Sequence, residues 1–201
     1  MIIQMESIME IDDYKKTHQE IENYYFFENG FTDEEVIKII KMGEELEELD
    51  ANIGTSNKVT EYRNSKIKWI SCNTENKWLF KKLAIYVKEA NNTLWNFDIV
   101  GFGEFFQLGT YFSNNNGHYD WHIDCDSVNP FRKISISVQL TDPNEYEGGE
   151  LQLYTKKNIQ TMSKTKGAAI LFPSFLLHQV TPVTKGKRMS LVVWVTGPQF
   201  R

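Results

Sequence analysis

Gly117-His-Tyr-Asp-Trp-His-Ile-Asp124 ends on a histidine and an aspartate separated by one residue. Side chains of an extended chain alternate in direction, so positions i and i+2 share a face. His122 and Asp124 can therefore reach one ion while Ile123 packs the other way. A third donor has to arrive from elsewhere. Gly167-Ala-Ala-Ile-Leu-Phe-Pro-Ser-Phe-Leu-Leu-His178 reads as a buried strand followed by a Pro/Ser turn that delivers His178. Two imidazoles and one carboxylate on one face of a metal leave three positions open, the donor set that suits non-haem Fe(II) chemistry. A lone H-x-D pair is weak evidence, since it occurs by chance in many chains. The chain has four histidines, and His118, His122 and His178 all fall in its C-terminal half.

Arg188-Met-Ser-Leu-Val-Val-Trp-Val195 strengthens the reading. Its period-two pattern puts Arg188, Ser190, Val192 and Trp194 on one face and Met189, Leu191, Val193 and Val195 on the other. A guanidinium is a planar fork that grips a carboxylate through two charge-assisted hydrogen bonds, and a hydroxyl two residues on adds a third. Arg188 and Ser190 therefore suit a dicarboxylate, against the plainer alternative of a surface arginine on an edge strand. Lys185 and Lys187 are assigned to a solvated turn. In Lys133–Leu140, Ile134, Ile136, Val138 and Leu140 share one face. Ser135, Ser137 and Gln139 form a polar row on the other, which meets solvent or lines a wet pocket. Gly148-Gly149 is read as a tight turn.

Five segments, Gly117 to Asp124, Arg132 to Leu140, Tyr146 to Leu151, Leu171 to Gly186 and Arg188-Met-Ser190, resemble the 2-oxoglutarate/Fe(II)-dependent dioxygenases of the prolyl 4-hydroxylase type. The resemblance runs from about Gly101 to Gly197. It implies an α+β fold in which a distorted double-stranded β-helix, a jelly roll, is buttressed by N-terminal helices. It makes His122, Asp124 and His178 the metal ligands, and Arg188 the partner of the distal carboxylate of 2-oxoglutarate with Ser190 beside it. Tyr111 is similar to a tyrosine that hydrogen-bonds the co-substrate, and Leu151 to a leucine that packs against it. Trp194 would line the pocket near the metal. The implied cofactors are Fe(II), 2-oxoglutarate and O2, with ascorbate as rescuing reductant. The implied reaction is hydroxylation of an unactivated C–H bond, foremost in a prolyl residue of a peptide or protein. Free amino acids or other small molecules are the alternative substrates. Because Asp124 fills the position that halogenating members leave vacant, the resemblance implies hydroxylation rather than chlorination.

With 201 residues, 41% hydrophobic and 24% charged, the chain is expected to be a single domain of cytoplasmic type, residues 1–100 forming the buttress and 101–201 the binding core. Two cysteines, Cys72 and Cys125, make no disulfide framework and fit a reducing compartment. Cys125 should point away from the ligands as a packing or loop residue. No stretch approaches a membrane span, no targeting segment is recognised at the N-terminus, and no membrane partner is expected. A net charge of -5 argues against a nucleic-acid partner, and hence against base demethylation. Oligomeric state is not legible.

In the first half, Tyr24-Tyr-Phe-Phe27 reads as a strand turning at Glu28-Asn-Gly30. Thr32 to Glu35 has the spacing of a capping box. A helix should follow, burying Val36, Ile39, Ile40 and Gly43 and extended by Leu46. A second helix from about Lys77 to Asn91 should bury Phe80, Leu83, Ala84 and Val87. Between them, Asn57 to Ile70 alternates enough for one or two strands, with Arg63 and Trp69 as candidates for a substrate entrance, where an arginine and an aromatic can hold a peptide. The plainer reading is a surface arginine and a half-buried tryptophan. Three other classes remain open: a Zn or Mn jelly-roll isomerase, which would not need Arg188 and Ser190 as a dicarboxylate clamp; a non-catalytic module with a vestigial site, which would more often have lost a ligand; and a nucleic-acid demethylase, which would want basic grooves that this composition does not advertise.

Overall fold

The computed structural model describes residues 23–51, 61–155 and 158–200. The acidic N-terminal stretch and the first part of the alternating segment that begins at Asn57 lie outside the described residues.

Strand β1 (Tyr25–Phe27) leads into helix α1 (Asp33–Met42). The capping box forms as expected: Thr32 Oγ1 accepts from the Glu35 amide at 3.3 Å, and Glu35 Oε2 accepts from the Thr32 amide at 2.9 Å. Val36 and Ile39 are fully buried, but Ile40 is half-buried. The helix stops at Met42, with Gly43 as its C-cap, so Leu46 sits in the following turn and packs on the core from there. At Gly43 the constraint on a side chain is space rather than dihedral angle: a Cβ there would come within 2.3 Å of Leu108 Cδ2, while φ is an ordinary -85°.

Short strands β2 (Leu49–Asp50), β3 (Arg63–Asn64) and β4 (Lys66–Ile70) precede helix α2 (Lys77–Ala90), which runs into a π turn at Asn91–Trp95. The buried stripe of α2 is Leu79, Leu83, Val87 and Ala90, not the expected Phe80, Leu83, Ala84 and Val87. Phe80 lies at the edge of the interface, stacked on Phe106 at 3.8 Å, and Ala84 faces solvent. A methyl group costs little to expose, so alanine is a poor guide to the buried side of a helix.

The remaining strands are β5 (Gly101–Phe102), β6 (Phe106–Phe112), β7 (His118–His122), β8 (Arg132–Gln139), β9 (Tyr146–Gly148), β10 (Leu151–Tyr154), β11 (Ile159–Thr161), β12 (Ala169–Pro173), β13 (His178–Val180) and β14 (Val183–Thr196). They build two antiparallel sheets. The larger has the order β1-β12-β8-β14-β6-β4-β2, with β5 and β9 also paired to β14; the smaller has the order β11-β10-β13-β7-β3. This is the expected jelly roll.

The strand patterns decide what each layer contains. Ile134, Ile136, Val138, Leu191, Val193 and Val195 share a core with Val36, Ile39, Leu79 and Leu83, so the helices cover the outer face of the larger sheet. The opposite faces of β8 and β14 turn inward. Their register sets Ser190 opposite Gln139, Val192 opposite Ser137 and Trp194 opposite Ser135, while Arg188 lies opposite Tyr111 of β6. The polar row of β8 is accordingly buried and faces the interior.

β14 is longer than the sequence pattern indicates. Lys185 and Lys187 lie within it rather than in a separate turn, because β9 gives its first residues a partner: Lys185 sits opposite Glu147, and their side chains pair at 3.0 Å. Gly148 and Gly149 adopt φ of 70° and 58°, the left-handed region that favours glycine, as the tight turn into β10 requires. Among the described residues no helix is long and apolar enough to cross a membrane.

The revised face of α2 is testable by urea denaturation. Leu83→Ala should lower stability by about 2 to 5 kcal/mol. Ala84→Ser should stay within about 0.5 kcal/mol of the parent. Equal effects would mean that the helix presents a different face.

Candidate metal centre and anion site

His122 and His178 are brought together by pairing of β7 with β13, in which the two residues lie directly opposite each other. Asp124 does not extend that ladder. β7 ends at His122, and the amides of Asp124 and Cys125 both donate to the Ser174 carbonyl, at 2.9 Å each. The bend after the strand is thus tied to the turn before β13. The alternation expected of the tripeptide survives: Asp124 is buried, and Ile123 is 40% exposed. Cys125 directs its thiol at the Pro130 carbonyl, away from the ligands, as expected.

One donor atom from each of His122, Asp124 and His178 falls within 4.8 Å of the others. His122 Nε2 lies 3.9 Å from Asp124 Oδ1, and His178 Nε2 lies 3.5 Å from Asp124 Oδ2. Each Nδ1 is held by a backbone carbonyl, that of Asp120 at 2.7 Å for His122 and that of Leu176 at 2.8 Å for His178. These contacts hold the proton on Nδ1 and leave both Nε2 lone pairs for a metal. Burial, reinforced by the neighbouring His178, pushes the pKa of His122 down to about 3, so this imidazole is a neutral donor. Burial alone would raise the pKa of Asp124. The two imidazoles and a 2.6 Å hydrogen bond from Ser135 Oγ outweigh it and hold the group below the usual carboxylate range. Ser174 Oγ lies 2.9 Å from that Ser135 hydroxyl. Tyr119 stacks on His122 at 3.4 Å, and burial pushes its phenol up to about 12, which keeps it neutral beside the ligands.

Arg188 lies on the wall of the same cavity and is 1% exposed. One Nη donates to Gln139 Oε1 at 3.0 Å and the other to Ser190 Oγ at 3.3 Å, while Nε has no partner. Among the described residues no carboxylate pairs with it. A buried guanidinium that is only partly hydrogen-bonded and has no countercharge is costly unless an anion completes it. This orphaned donor and the N,N,O donor set fit a metal chelated by a small dicarboxylate. The cavity has a volume of about 360 Å³, and its lining includes the three donors, Arg188, Ser190, Tyr111, Leu151 and Trp194.

Most residues singled out from the sequence thus line one cavity. Arg63 differs from the plainer expectation of a surface arginine. It is buried on the cavity wall, bonded through Nη2 to Gln107 Oε1 at 2.7 Å and through Nε to Ser65 Oγ at 3.1 Å, over the Tyr119 ring. Trp69 is half-buried on the wall, its ring 6.3 Å from that of Trp194. Sequence reasoning missed the support of Asp124 by Ser135 and Ser174, the Gln107 partner of Arg63 and the stacking of Tyr119. It also missed Arg132, which pairs with Glu104 through Nε at 2.6 Å and lies 3.8 Å over Trp194. The polar row of β8 was the signal available for Ser135, which belongs to it.

Comparison with known proteins fits this geometry. Residues 106–196 match the family model of the 2OG-Fe(II) oxygenase superfamily. A PKHD-type hydroxylase from Teredinibacter turnerae is 38% identical over 87 residues, covering 40% of this chain and 38% of the relative. The chain therefore spans under two fifths of that relative's length. A Trichoplax adhaerens prolyl hydroxylase, solved in complex with a hypoxia inducible factor oxygen degradation domain peptide fragment, superposes with a TM-score of 0.70 at 19% identity, covering 87% of this chain and 84% of that one. A Pseudomonas putida prolyl-4-hydroxylase gives 0.68 at 17% identity, covering 88% and 93%. At these identities the structural likeness establishes the fold.

Ser135→Ala should weaken Mn(II) binding by about 10- to 100-fold in a calorimetric titration, because it removes the hydrogen bond that orients Asp124. Unchanged affinity would show that Asp124 does not need this support.

Proposed function

We propose that this chain, whose residues 106–196 match the family model of the 2OG-Fe(II) oxygenase superfamily, is an Fe(II)- and 2-oxoglutarate-dependent dioxygenase that hydroxylates a prolyl residue of a peptide or protein. The single observation that carries the reading is the pairing, in one cavity, of a His/Asp/His donor set with a buried arginine that has no carboxylate partner among the described residues. An isomerase would use the first and have no need of the second. Residues 1–201 act in this reading as one domain. It is supported by the packing of α1 and α2 on the core of the larger sheet and by β3 and β4 pairing with β7 and β6.

His122, Asp124 and His178 hold Fe(II) in this reading, and Arg188 and Ser190 receive the distal carboxylate of 2-oxoglutarate, with Tyr111 and Leu151 beside it. The chemistry supplied by Fe(II), 2-oxoglutarate and O2 together is oxidative decarboxylation to succinate and CO2, coupled to insertion of one oxygen atom into a C–H bond. The protein contributes placement. The Asp120 and Leu176 carbonyls fix the two imidazole rings, and the Ser135 hydroxyl aims Asp124 and adds to what holds it ionised. Burial of Arg188 removes water that would compete for the co-substrate. Trp194 lines the pocket, with the Arg132 guanidinium over its ring. Ascorbate serves as reductant for over-oxidised iron. The unpaired Cys72 and Cys125 suit a cytoplasmic setting, and neither nucleic acid nor a membrane is a partner.

His122→Ala, Asp124→Ala and His178→Ala should each abolish succinate formation while leaving far-UV circular dichroism unchanged, and wild-type turnover in any of them would refute the ligand set. Arg188→Ala should raise the 2-oxoglutarate requirement by the equivalent of roughly 2 to 5 kcal/mol, the usual effect of truncating a desolvated ion pair. Unaltered co-substrate affinity would transfer the role to another cation. A proline-containing peptide incubated with Fe(II), 2-oxoglutarate and ascorbate should gain one oxygen atom by mass spectrometry. Turnover stimulated by a free amino acid and by no peptide would replace the peptide assignment with a small-molecule one.

A further inference from the structure

Arg188 is not the only guanidinium in the cavity without a countercharge. Arg63 is 8% exposed, lines the same space, and is held in place by neutral partners alone: Gln107, Ser65 and the face of Tyr119, whose ring centroid is 4.4 Å from the guanidinium carbon. Those contacts occupy Nε and Nη2. Nη1 has no hydrogen-bond partner among the described residues, and no carboxylate there pairs with this arginine. Arg132, the third arginine on the wall, is already neutralised by Glu104.

The charges around the cavity do not balance without a further anion. On the reading given above, Fe(II), Arg63 and Arg188 are offset by Asp124 and the two carboxylates of 2-oxoglutarate, which leaves one positive charge. Asp126 is the other acidic residue on the lining, but it is exposed at the rim and its Oδ1 accepts from the amides of Val128 and Asn129. An exposed carboxylate is screened by water and compensates a buried cation poorly. A cation pre-positioned by neutral hydrogen bonds, with the two N–H groups of Nη1 left over, is built to receive a charged acceptor.

We propose that Arg63 is a specificity-determining residue that receives a carboxylate of the primary substrate. The inference rests on the dioxygenase reading and narrows it: the substrate is an acid, either a free amino acid bound through its α-carboxylate or a peptide whose acidic side chain lies beside the target residue. Both sources present the same group to Nη1.

The test measures binding to protein loaded with Mn(II) and 2-oxoglutarate, in which Mn(II) replaces Fe(II) to stop turnover. Matched probes differ only in the carboxylate: L-proline against L-prolinamide, and blocked peptides with glutamate against glutamine next to proline. In one of the two pairs the acid should bind about tenfold or more tightly than the amide, the usual worth of a hydrogen bond to a charged group. Preference in the first pair identifies a free amino acid, and preference in the second identifies a peptide. Arg63→Gln should erase that preference and Arg63→Lys should retain part of it, which a purely structural role for Arg63 would not produce. Equal binding of acid and amide in both pairs, or a preference that persists in Arg63→Gln, overturns the proposal and leaves the dioxygenase reading intact. Failure of the wild type to take up Mn(II) and 2-oxoglutarate together overturns both.

Discussion

β14 is hydrogen-bonded on both edges, to β8 and to β6, and has to satisfy two different environments along its length. Its even-numbered face carries Arg188, Ser190, Val192 and Trp194 into the cavity, and its odd-numbered face carries Leu191, Val193 and Val195 into the helix-covered core. A one-residue slip would bury the guanidinium in the apolar layer and turn the aliphatic residues toward the ligands. The aliphatic packing against α1 and α2 is therefore also what sets the register of Arg188. Stability and chemistry are bound to the same alternation.

The same constraint explains how a buried cation is tolerated. Arg188 is 1% exposed, and its hydrogen bonds to Gln139 and Ser190 are neutral ones on the strand register that β8 and β14 share. Hydrogen bonds of that kind position a charge without neutralising it, so the site keeps its affinity for an anion. The triad follows a parallel design: backbone carbonyls orient the imidazoles, and a serine hydroxyl orients the carboxylate. The network around Asp124 links β8, the bend after β7 and the turn before β13, so the donor set is tied to three parts of the fold at once.

Much of this was legible in the sequence because it is written in local periodicity. The two faces of β14, the polar row of β8, the capping box of α1 and the delivery of His178 by the run from Gly167 all follow from spacing within a dozen residues. What was not legible depends on long-range pairing. Ser135 and Ser174 are 39 residues apart, and Arg63 and Gln107 are 44 apart; only the sheet register brings them together. The misread face of α2 has a different origin. Ala84 counts as apolar in a helical stripe yet exposes too little surface to decide which side is buried, whereas Leu79, just outside the expected stripe, is fully buried.

The central claim is that one metal and one dicarboxylate share the cavity between the His/Asp/His donors and Arg188. Anaerobic titration of the purified protein with Fe(II) and 2-oxoglutarate, followed by visible absorption, tests it most directly. The account predicts a weak charge-transfer band that appears only when both are present and does not form when succinate replaces 2-oxoglutarate. No band with both present, or the same band with iron alone, would contradict it.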